Sequence, residues 1–245
     1  MTDTTSLGDR MKAYEKIPSH KLMKRTPVIL RLDGKAFHTY TKGMDKPFDK
    51  DLNVVRSNVL ASLCENIQGA LFGYSQSDEL SIVLKDWDTF TTNSWFDSKV
   101  QKLCSVSASM CTAYWDRESG FLDSIRTEGS DKFSDKMALF DSRCFNVPKE
   151  EVLNYLIWRQ QDWERNSVQM IAQSLYSHKE LQNKSCKRLI TLIENEHGIV
   201  WGQLPSWQKR GEFWLKGEGL IDCPRFQENR NDLENILYKT YDEKR

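Results

Sequence analysis

Short apolar runs of strand length alternate with stretches of helical periodicity along the first 150 residues. A continuous apolar run of this length is typical of a strand in the core of a sheet. The polar residues 75–79 interrupt the apolar pattern and predict the turn of a hairpin. The runs predict a strand over Val28–Asp33, a hairpin with the arms Ala70–Tyr74 and Leu80–Leu84, and a further strand over Lys136–Val147.

Elsewhere, apolar residues recur at every third or fourth position, which is the period of a helix with one buried face. The pattern predicts a short helix over residues 7–17, long helices over Asp49–Asn66 and Trp95–Trp115, and a helix over Glu150–Ser177 that breaks near Asn166.

The order strand, helix, hairpin, helix, strand and then helices predicts an α+β fold. The two strand groups fit the split βαβ, ferredoxin-like arrangement, an antiparallel sheet with helices on one face. We expect a core over residues 1–150 and a helical C-terminal extension over residues 151–245, both packed as a single compact unit. Within that extension, Gly202–Leu220 is predicted to be a loose tail.

Composition restricts the classes of protein to which the chain can belong. The 35 basic and 35 acidic residues cancel, so a nucleic-acid partner would have to meet a local basic patch. The apolar runs are too short to span a membrane, and the first residues lack the regions of a signal peptide. Six scattered cysteines without a Cys-x-x-Cys pair predict reduced thiols in a cytoplasmic protein.

Acidic residues lie where two of the predicted strands end or turn. Asp33 is followed by Gly34, and Asp78 and Glu79 lie in the hairpin. Mg²⁺ prefers such carboxylate oxygens, and a pair of these ions is a common clamp for nucleotidyl transfer. A plain Asp-Gly turn and a polar hairpin tip are the alternatives. Because neighbouring strand residues point to opposite faces, Asp78 is a better ligand than Glu79.

Basic residues also cluster at two places in the sequence. Lys99 and Lys102 are three residues apart on a predicted helix, so they share a face that can hold a triphosphate or lie exposed. Lys209 and Arg210 form a second local basic spot.

The helix predicted over Glu150–Ser177 combines polar, basic and aromatic residues. Arg159, Arg165 and Asn166 are interleaved with Trp158 and Trp163. Such a pattern suits contacts with the backbone and bases of a nucleic acid. It is equally typical of a helix whose tryptophans pack in the core.

Several motifs of the chain resemble those of the tRNA-His guanylyltransferase family in their order and spacing, from about residue 10 to residue 215. The first two motifs are jointly specific, and the last has one residue more than the family's Pro-x-x-x-Lys-Gly segment. The matching segments are Arg31–His38, Tyr74–Glu79, Phe140–Arg143, Trp158–Asp162 and Leu204–Gly211.

The resemblance implies a polymerase-palm-like catalytic core that adds nucleotides to the 5′ end of tRNA in the 3′-to-5′ direction. It implies two Mg²⁺ ions, GTP, ATP or other nucleoside triphosphates as substrates, and a homo-oligomer of two or four chains. Rival interpretations are a nucleotide cyclase on the same palm and a non-catalytic tRNA-binding protein.

The resemblance also implies roles for individual residues. Asp33, the Gly34 carbonyl and Asp78 would hold the metal ions, and Glu79 would support the site. As a lone histidine, His38 is more often structural than catalytic, although it falls near the incoming base. The implied nucleotide-binding residues are Lys35, Ala36, Phe37, His38, Lys46, Ser77, Lys99 and Lys102, and the tRNA-binding candidates are Arg159, Arg165, Asn166, Lys209 and Arg210.

One segment departs from the family pattern. After Arg-Gln-x-Asp, eukaryotic members carry His-Ile-Asn-Asn, whereas this chain reads Glu164-Arg-Asn-Ser167. In this segment the chain is more similar to the bacterial, archaeal and phage branch of guanylyltransferase-like proteins. It therefore implies templated repair of 5′-truncated tRNAs, with guanosine addition to tRNA-His as a further activity.

Overall fold

A six-stranded sheet organises the structure, a computed structural model that describes residues 5–89, 91–125, 132, 133 and 136–239. All neighbouring strands pair antiparallel, in the order β4-β1-β3-β2-β5-β6. The strands are β1 (Val28–Gly34), β2 (Ala70–Gln76), β3 (Glu79–Leu84), β4 (Phe140–Asn146), β5 (Glu212–Leu215) and β6 (Gly219–Ile221).

Nine α-helices lie in the described part of the chain, and none of them is long and apolar enough to cross a membrane. Short 3₁₀ helices precede the fourth and fifth of them, at Trp95–Ser98 and Lys149–Glu151, and a third covers Trp201–Gln203. The α-helices are α1 (Leu7–Lys16), α2 (Phe37–Tyr40), α3 (Lys50–Asn66), α4 (Val100–Ser124), α5 (Val152–Leu175), α6 (His178–Leu181), α7 (Cys186–His197), α8 (Ser206–Lys209) and α9 (Arg230–Tyr238).

The predicted α+β, ferredoxin-like arrangement is confirmed, because the first four strands take the order β4-β1-β3-β2 with α3 and α4 as their crossovers. One face of the sheet, including Leu30 and Ile82, packs against Leu60 of α3 and Leu103 of α4 in one buried cluster. Successive strand residues point to opposite faces, so the intervening side chains face the other way.

The second face of the sheet is covered by the C-terminal part of the chain. Ile29 and Val83 join a separate buried cluster with Leu156 of α5 and Leu237 of α9. Asp33 and Glu79 alternate in register with these two apolar residues, so they belong to the face that α5 covers. The extension thus forms one wall of the region around the carboxylates.

The prediction of a loose tail over Gly202–Leu220 is wrong, because this segment contains β5 and the start of β6. Phe213 of β5 is fully buried, with its ring centroid 5.7 Å from that of Phe72 and 5.1 Å from that of Phe226. A four-residue strand is too short to produce a periodic pattern, and its partner β2 lies far away in the sequence.

Three predicted element boundaries are also wrong. α4 begins at Val100 and continues to Ser124, because positive φ angles over residues 96–98 interrupt the helical path from Trp95. α5 runs unbroken through Asn166, where the buried Ser167 accepts a hydrogen bond from the indole nitrogen of Trp201 (2.9 Å). The fourth strand starts at Phe140, four residues after the predicted start.

If β5 is part of the core, Phe213→Ala should lower the free energy of unfolding by about 3–5 kcal/mol, through lost burial and a residual cavity. Leu220→Ala in β6 is the matched control. Its side chain is 40% exposed, and it should change stability by less than about 1 kcal/mol. Urea unfolding measures both values, and a small effect of both substitutions would contradict the assignment of β5 to the core.

Candidate active site

The end of β1 and the turn of the β2–β3 hairpin meet at one end of the sheet. Asp33 pairs in register with Glu79, and the Gly34 amide donates a hydrogen bond to the Asp78 carbonyl (3.1 Å). A Cβ atom on Gly34 would lie 2.2 Å from the Phe37 ring and 2.9 Å from the Asp78 Cβ, so this close approach requires glycine. The structure therefore brings Asp33 and Asp78 to the same strand ends, as the sequence predicted.

The two aspartates lie in different electrostatic surroundings. Burial raises the pKa of the Asp78 carboxyl; the hydrogen bond from the Ser77 hydroxyl (2.8 Å) opposes this shift, and the nearby Asp33 charge adds to it. Asp33 Oδ2 lies 3.6 Å from a guanidinium nitrogen of Arg143 and 4.0 Å from one of Arg31. Neither distance is short enough for a direct hydrogen bond, so Asp33 keeps acceptor capacity for another cation.

This donor set fits Mg²⁺. The ion commonly takes one or two carboxylates from a protein and completes its octahedron with phosphate oxygens and water. No group of three or more His, Cys, Asp or Glu side chains suited to a metal occurs in the described residues. The like charges of Asp33 and Asp78 nevertheless influence each other, which is the situation that a shared cation relieves.

Glu79, by contrast, is fully engaged with arginines. Its carboxylate accepts hydrogen bonds from Nε and an Nη of Arg159 (2.7 and 2.8 Å) and from an Nη of Arg31 (2.7 Å). Burial raises the pKa of Glu79, and the two guanidiniums oppose that shift. With its oxygens occupied in this way, Glu79 is suited to positioning β3, β1 and α5 around the aspartates.

A second buried arginine holds the hairpin turn from the opposite side. Arg56 of α3 donates to the Ser77 carbonyl (3.3 Å) and to the Glu212 carboxylate of β5 (3.2 Å). Sequence reasoning missed this pair, since Glu212 lies in the segment predicted to be loose. The available signal was Arg56 itself, a charged residue next to Val55 within the apolar positions of a helix.

A cleft of about 310 Å³ opens beside this turn, and it is lined by Lys46 and Ser77 among others. Phe48, Trp163 and Trp207 form an aromatic wall, with the Phe48 ring centroid 6.3 Å from that of Trp163 and 5.9 Å from that of Trp207. The indole nitrogen of Trp163 is buried, and no described residue accepts its hydrogen bond. The cleft thus offers aromatic surface and a cation.

Two of the predicted nucleotide contacts lie elsewhere. Lys99 immediately precedes α4, whose first turn packs at the Val28 end of β1. The Asp33 end of β1 is five residues away, or about 17 Å along the strand. The structure therefore does not bring Lys99 and Lys102 to the carboxylates of the same chain.

The residues after Gly34 divide between surface and core. Lys35 and His38 are exposed, and Ala36 has a left-handed backbone (φ 53°) that starts α2. Phe37 is buried, with its ring edge-on to Trp115 at a centroid distance of 5.2 Å. Phe37 therefore packs in the core, although the resemblance implied that it binds the nucleotide.

The predicted tRNA contacts differ in accessibility. The Arg159 side chain is 7% exposed, whereas that of Arg165 is 59% exposed and pairs with Asp162. Asn166 is half-buried on α5. Lys209 donates to the Gly202 carbonyl, and Arg210 donates to the Cys223 carbonyl (2.8 Å). The structure favours a positioning role for Arg159 and leaves Arg165 the most accessible of the set.

Comparisons with known proteins show which family has a sequence similar to this chain. A family model described as tRNAHis guanylyltransferase matches residues 8–148, more than half of the chain. The uncharacterized protein R259 of Acanthamoeba polyphaga mimivirus is 31% identical over 221 residues, which cover 84% of this chain and 75% of the viral protein.

Two solved structures of a bacterial tRNA(His) guanylyltransferase-like protein are also similar. The complex with ATP is 41% identical, with a TM-score of 0.87, and the match covers 96% of this chain and 100% of that one. The complex with GTP is 39% identical, with a TM-score of 0.77 and the same coverage. Since the family model matches most of the palm-like core, including both aspartates, this chain belongs to the tRNAHis guanylyltransferase family of nucleotidyltransferases.

Proposed function

We propose that the chain is a Mg²⁺-dependent 3′-to-5′ nucleotidyltransferase that adds nucleotides to the 5′ end of tRNA, chiefly to repair 5′-truncated tRNAs. The observation that carries this proposal is the meeting of Asp33 and Asp78 at one turn, beside the cleft lined by Lys46 and Ser77. Guanosine addition to tRNA-His is a further activity that the family membership supports.

Nucleoside triphosphates are the expected occupants of the cleft. The similar bacterial proteins are described in complex with ATP and with GTP. Here the aromatic wall suits a base, and the exposed Lys46 suits a phosphate group.

In the proposed reaction the 3′-oxygen of the incoming nucleotide bonds to the 5′ phosphorus of tRNA, with pyrophosphate or AMP as the leaving group. Asp33, the Gly34 carbonyl and Asp78 would hold two Mg²⁺ ions, which would lower the pKa of the attacking hydroxyl and offset charge on the leaving group. The protein's own contribution is positioning, which dominates catalysis of phosphoryl transfer. Arg56 fixes the turn on one side and Glu79 on the other.

The structure of the divergent segment Glu164–Ser167 supports repair as the main activity. Ser167 is buried and bonded to Trp201, so it serves packing. Burial raises the pKa of the Glu164 carboxyl, and the guanidiniums of Arg225 and Arg210 oppose that shift. An acid among arginines stands where eukaryotic members of the family carry a histidine, which supports a place for this chain outside the dedicated tRNA-His branch.

We also infer an assembly of two or four chains in the cytoplasm. No residue of α1 is buried, and Leu7, Tyr14 and Ile17 are each at least 65% exposed at or beside that helix. Apolar side chains grouped in this way suit contact with another copy. All six cysteines are free, as expected in a reducing compartment.

The protein should extend a tRNA that lacks its first 5′ nucleotide, given Mg²⁺ and the complementary nucleoside triphosphate, faster than it acts on intact tRNA-His. Asp33→Asn and Asp78→Asn should each slow extension by about 100-fold or more, because metal-ion stabilisation of the transition state is worth several kcal/mol. Denaturing gels measure extension of 5′-mono- and 5′-triphosphate tRNAs with each nucleotide in turn.

Asp232→Asn on the exposed surface of α9 is the matched control and should act like the wild type. Undiminished extension by Asp33→Asn, or in EDTA, would contradict the proposal. A cyclic product from GTP or ATP alone would instead support a nucleotide cyclase. Binding of tRNA without pyrophosphate release would support a non-catalytic tRNA-binding protein.

Lys46→Met should weaken nucleoside triphosphate binding by about 10-fold or more, since a charge-assisted hydrogen bond to phosphate is worth about 1.5–3 kcal/mol. Lys50→Met, at an exposed position that does not line the cleft, should leave the affinity unchanged. Calorimetric titration with GTP and ATP measures both, with tRNA affinity as a check on folding. Equal effects of the two substitutions would exclude the cleft as the triphosphate site.

Arg159→Met should lower the free energy of unfolding by about 2–4 kcal/mol at pH 7, because Glu79 then keeps one guanidinium partner in place of two. Without the Arg159 guanidinium, the folded-state pKa of Glu79 rises further above its unfolded value. The folded state of the variant therefore binds a proton more tightly. The destabilisation should therefore shrink as the pH falls towards about 4.

Arg165→Met is the control for this substitution, since Arg165 shares Asp162 with Arg159 but is 59% exposed. It should change stability by less than about 1 kcal/mol at any pH in this range. Urea unfolding from pH 4 to pH 8 gives the comparison. A pH-independent loss for Arg159→Met would show that packing, and not the Glu79 charge, explains its effect.

A further inference from the structure

The first tryptophan of α5 is exposed beside the carboxylates, although the second is buried. Trp158 is 51% exposed and Trp163 is 3% exposed. They lie five residues apart, so they project from α5 about 140° away from each other. Trp163 forms a wall of the cleft, and Trp158 lies outside it.

The buried side of Trp158 is held by the same arginines that engage Glu79. The guanidinium carbon of Arg159 lies 4.4 Å from the centroid of the indole, and that of Arg31 lies 5.9 Å away. The Tyr155 ring meets it edge-on, at a centroid distance of 5.9 Å. These contacts fix the ring in place and leave about half of its surface open to solvent.

The indole is also close to the aspartates. Arg31 contacts the Trp158 ring and has a guanidinium nitrogen 4.0 Å from Asp33 Oδ2, which places the indole within about 11 Å of that carboxylate. A single nucleotide can bridge this distance. A base on the open side of Trp158 can therefore have its phosphate at Asp33.

Two exposed arginines lie in the neighbourhood of the ring. Arg143 is 55% exposed and 3.6 Å from Asp33, on the strand next to Arg31. Arg165 is 59% exposed and follows Trp158 by seven residues, so it lies on the same side of α5 about 10 Å along the axis. An aromatic ring near exposed arginines is a common arrangement for stacking a base while the backbone is held electrostatically.

We propose that Trp158 is the platform on which the base at the 5′ end of the tRNA stacks, with Arg143 and Arg165 beside its phosphates. The inference rests on the proposed function, because it assumes that the 5′ end of an RNA reaches Asp33. It assigns the tRNA end and the incoming nucleotide to different tryptophans of one helix. The alternative is that Trp158 only covers the ion pair of Glu79 and Arg159.

Fluorescence of 2-aminopurine, placed as the first 5′ nucleotide of a truncated tRNA, tests the stacking directly. With Mg²⁺ present but without nucleoside triphosphate, so that there is no nucleotide to add, the wild type should quench this fluorescence on binding. Trp158→Leu should abolish the quenching at saturating protein, and Trp158→Phe should retain most of it. Phe121→Leu, a 60%-exposed aromatic on α4, is the matched control and should quench like the wild type.

Kinetics give the second readout. Trp158→Leu should raise the KM for tRNA about 5- to 100-fold, the effect of losing one stacked base, with the KM for the nucleoside triphosphate unchanged. Trp158→Phe should recover most of the loss. A role limited to covering the ion pair would lower kcat or stability without changing the quenching, and that result would overturn the proposal.

The two proposals can fail separately. Normal extension by the wild type, together with full quenching by Trp158→Leu, would overturn the platform and leave the proposed function intact. Trp158-dependent quenching by a protein that extends no tRNA would overturn the proposed function and support the platform as an RNA-binding site.

Discussion

The buried carboxylate of Glu79 links the three elements from which the site is built. Its hydrogen bonds to Arg31 and Arg159 connect β3 to β1 within the sheet and to α5 above it. A charge buried in this way is tolerable only while its partners remain, so the three elements have little freedom to separate. Asp78 lies in the turn directly before Glu79, so the hydrogen bonds of Glu79 also restrict the position of that turn.

The three acidic residues at this end of the sheet differ in how many hydrogen bonds their carboxylates accept. Glu79 receives three short hydrogen bonds from guanidiniums, whereas the nearest guanidinium nitrogens to Asp33 are 3.6 and 4.0 Å away. Asp78 has one hydroxyl donor and a pKa raised by burial. The arginines therefore give Glu79 a positioning role and leave Asp33 and Asp78 with oxygens for the proposed metal ions.

Sequence periodicity could predict those parts of the fold whose burial follows a local pattern. The strand ending at Asp33, the hairpin around Asp78 and the helix after Asp49 were predicted within a few residues, because apolar spacing directly reflects which face is buried. β5 could not be predicted, since its burial against Phe72 depends on a partner some 140 residues away. The exposed or buried state of each arginine depends likewise on tertiary contacts.

Those tertiary contacts also explain why the roles of the two arginines of α5 could not be predicted from the sequence. Arg159 and Arg165 are six residues apart and share Asp162, yet one is buried under Trp158 and the other extends into solvent. Because α5 crosses the sheet at the carboxylates, one side of the helix closes the cleft and the other faces outward. In the proposed reaction the two substrates must approach Asp33 and Asp78 from different directions, and a single helix between them keeps the routes apart. The Glu79 ion pair fixes that helix to the sheet, so the same contact that positions the carboxylates also separates the substrates.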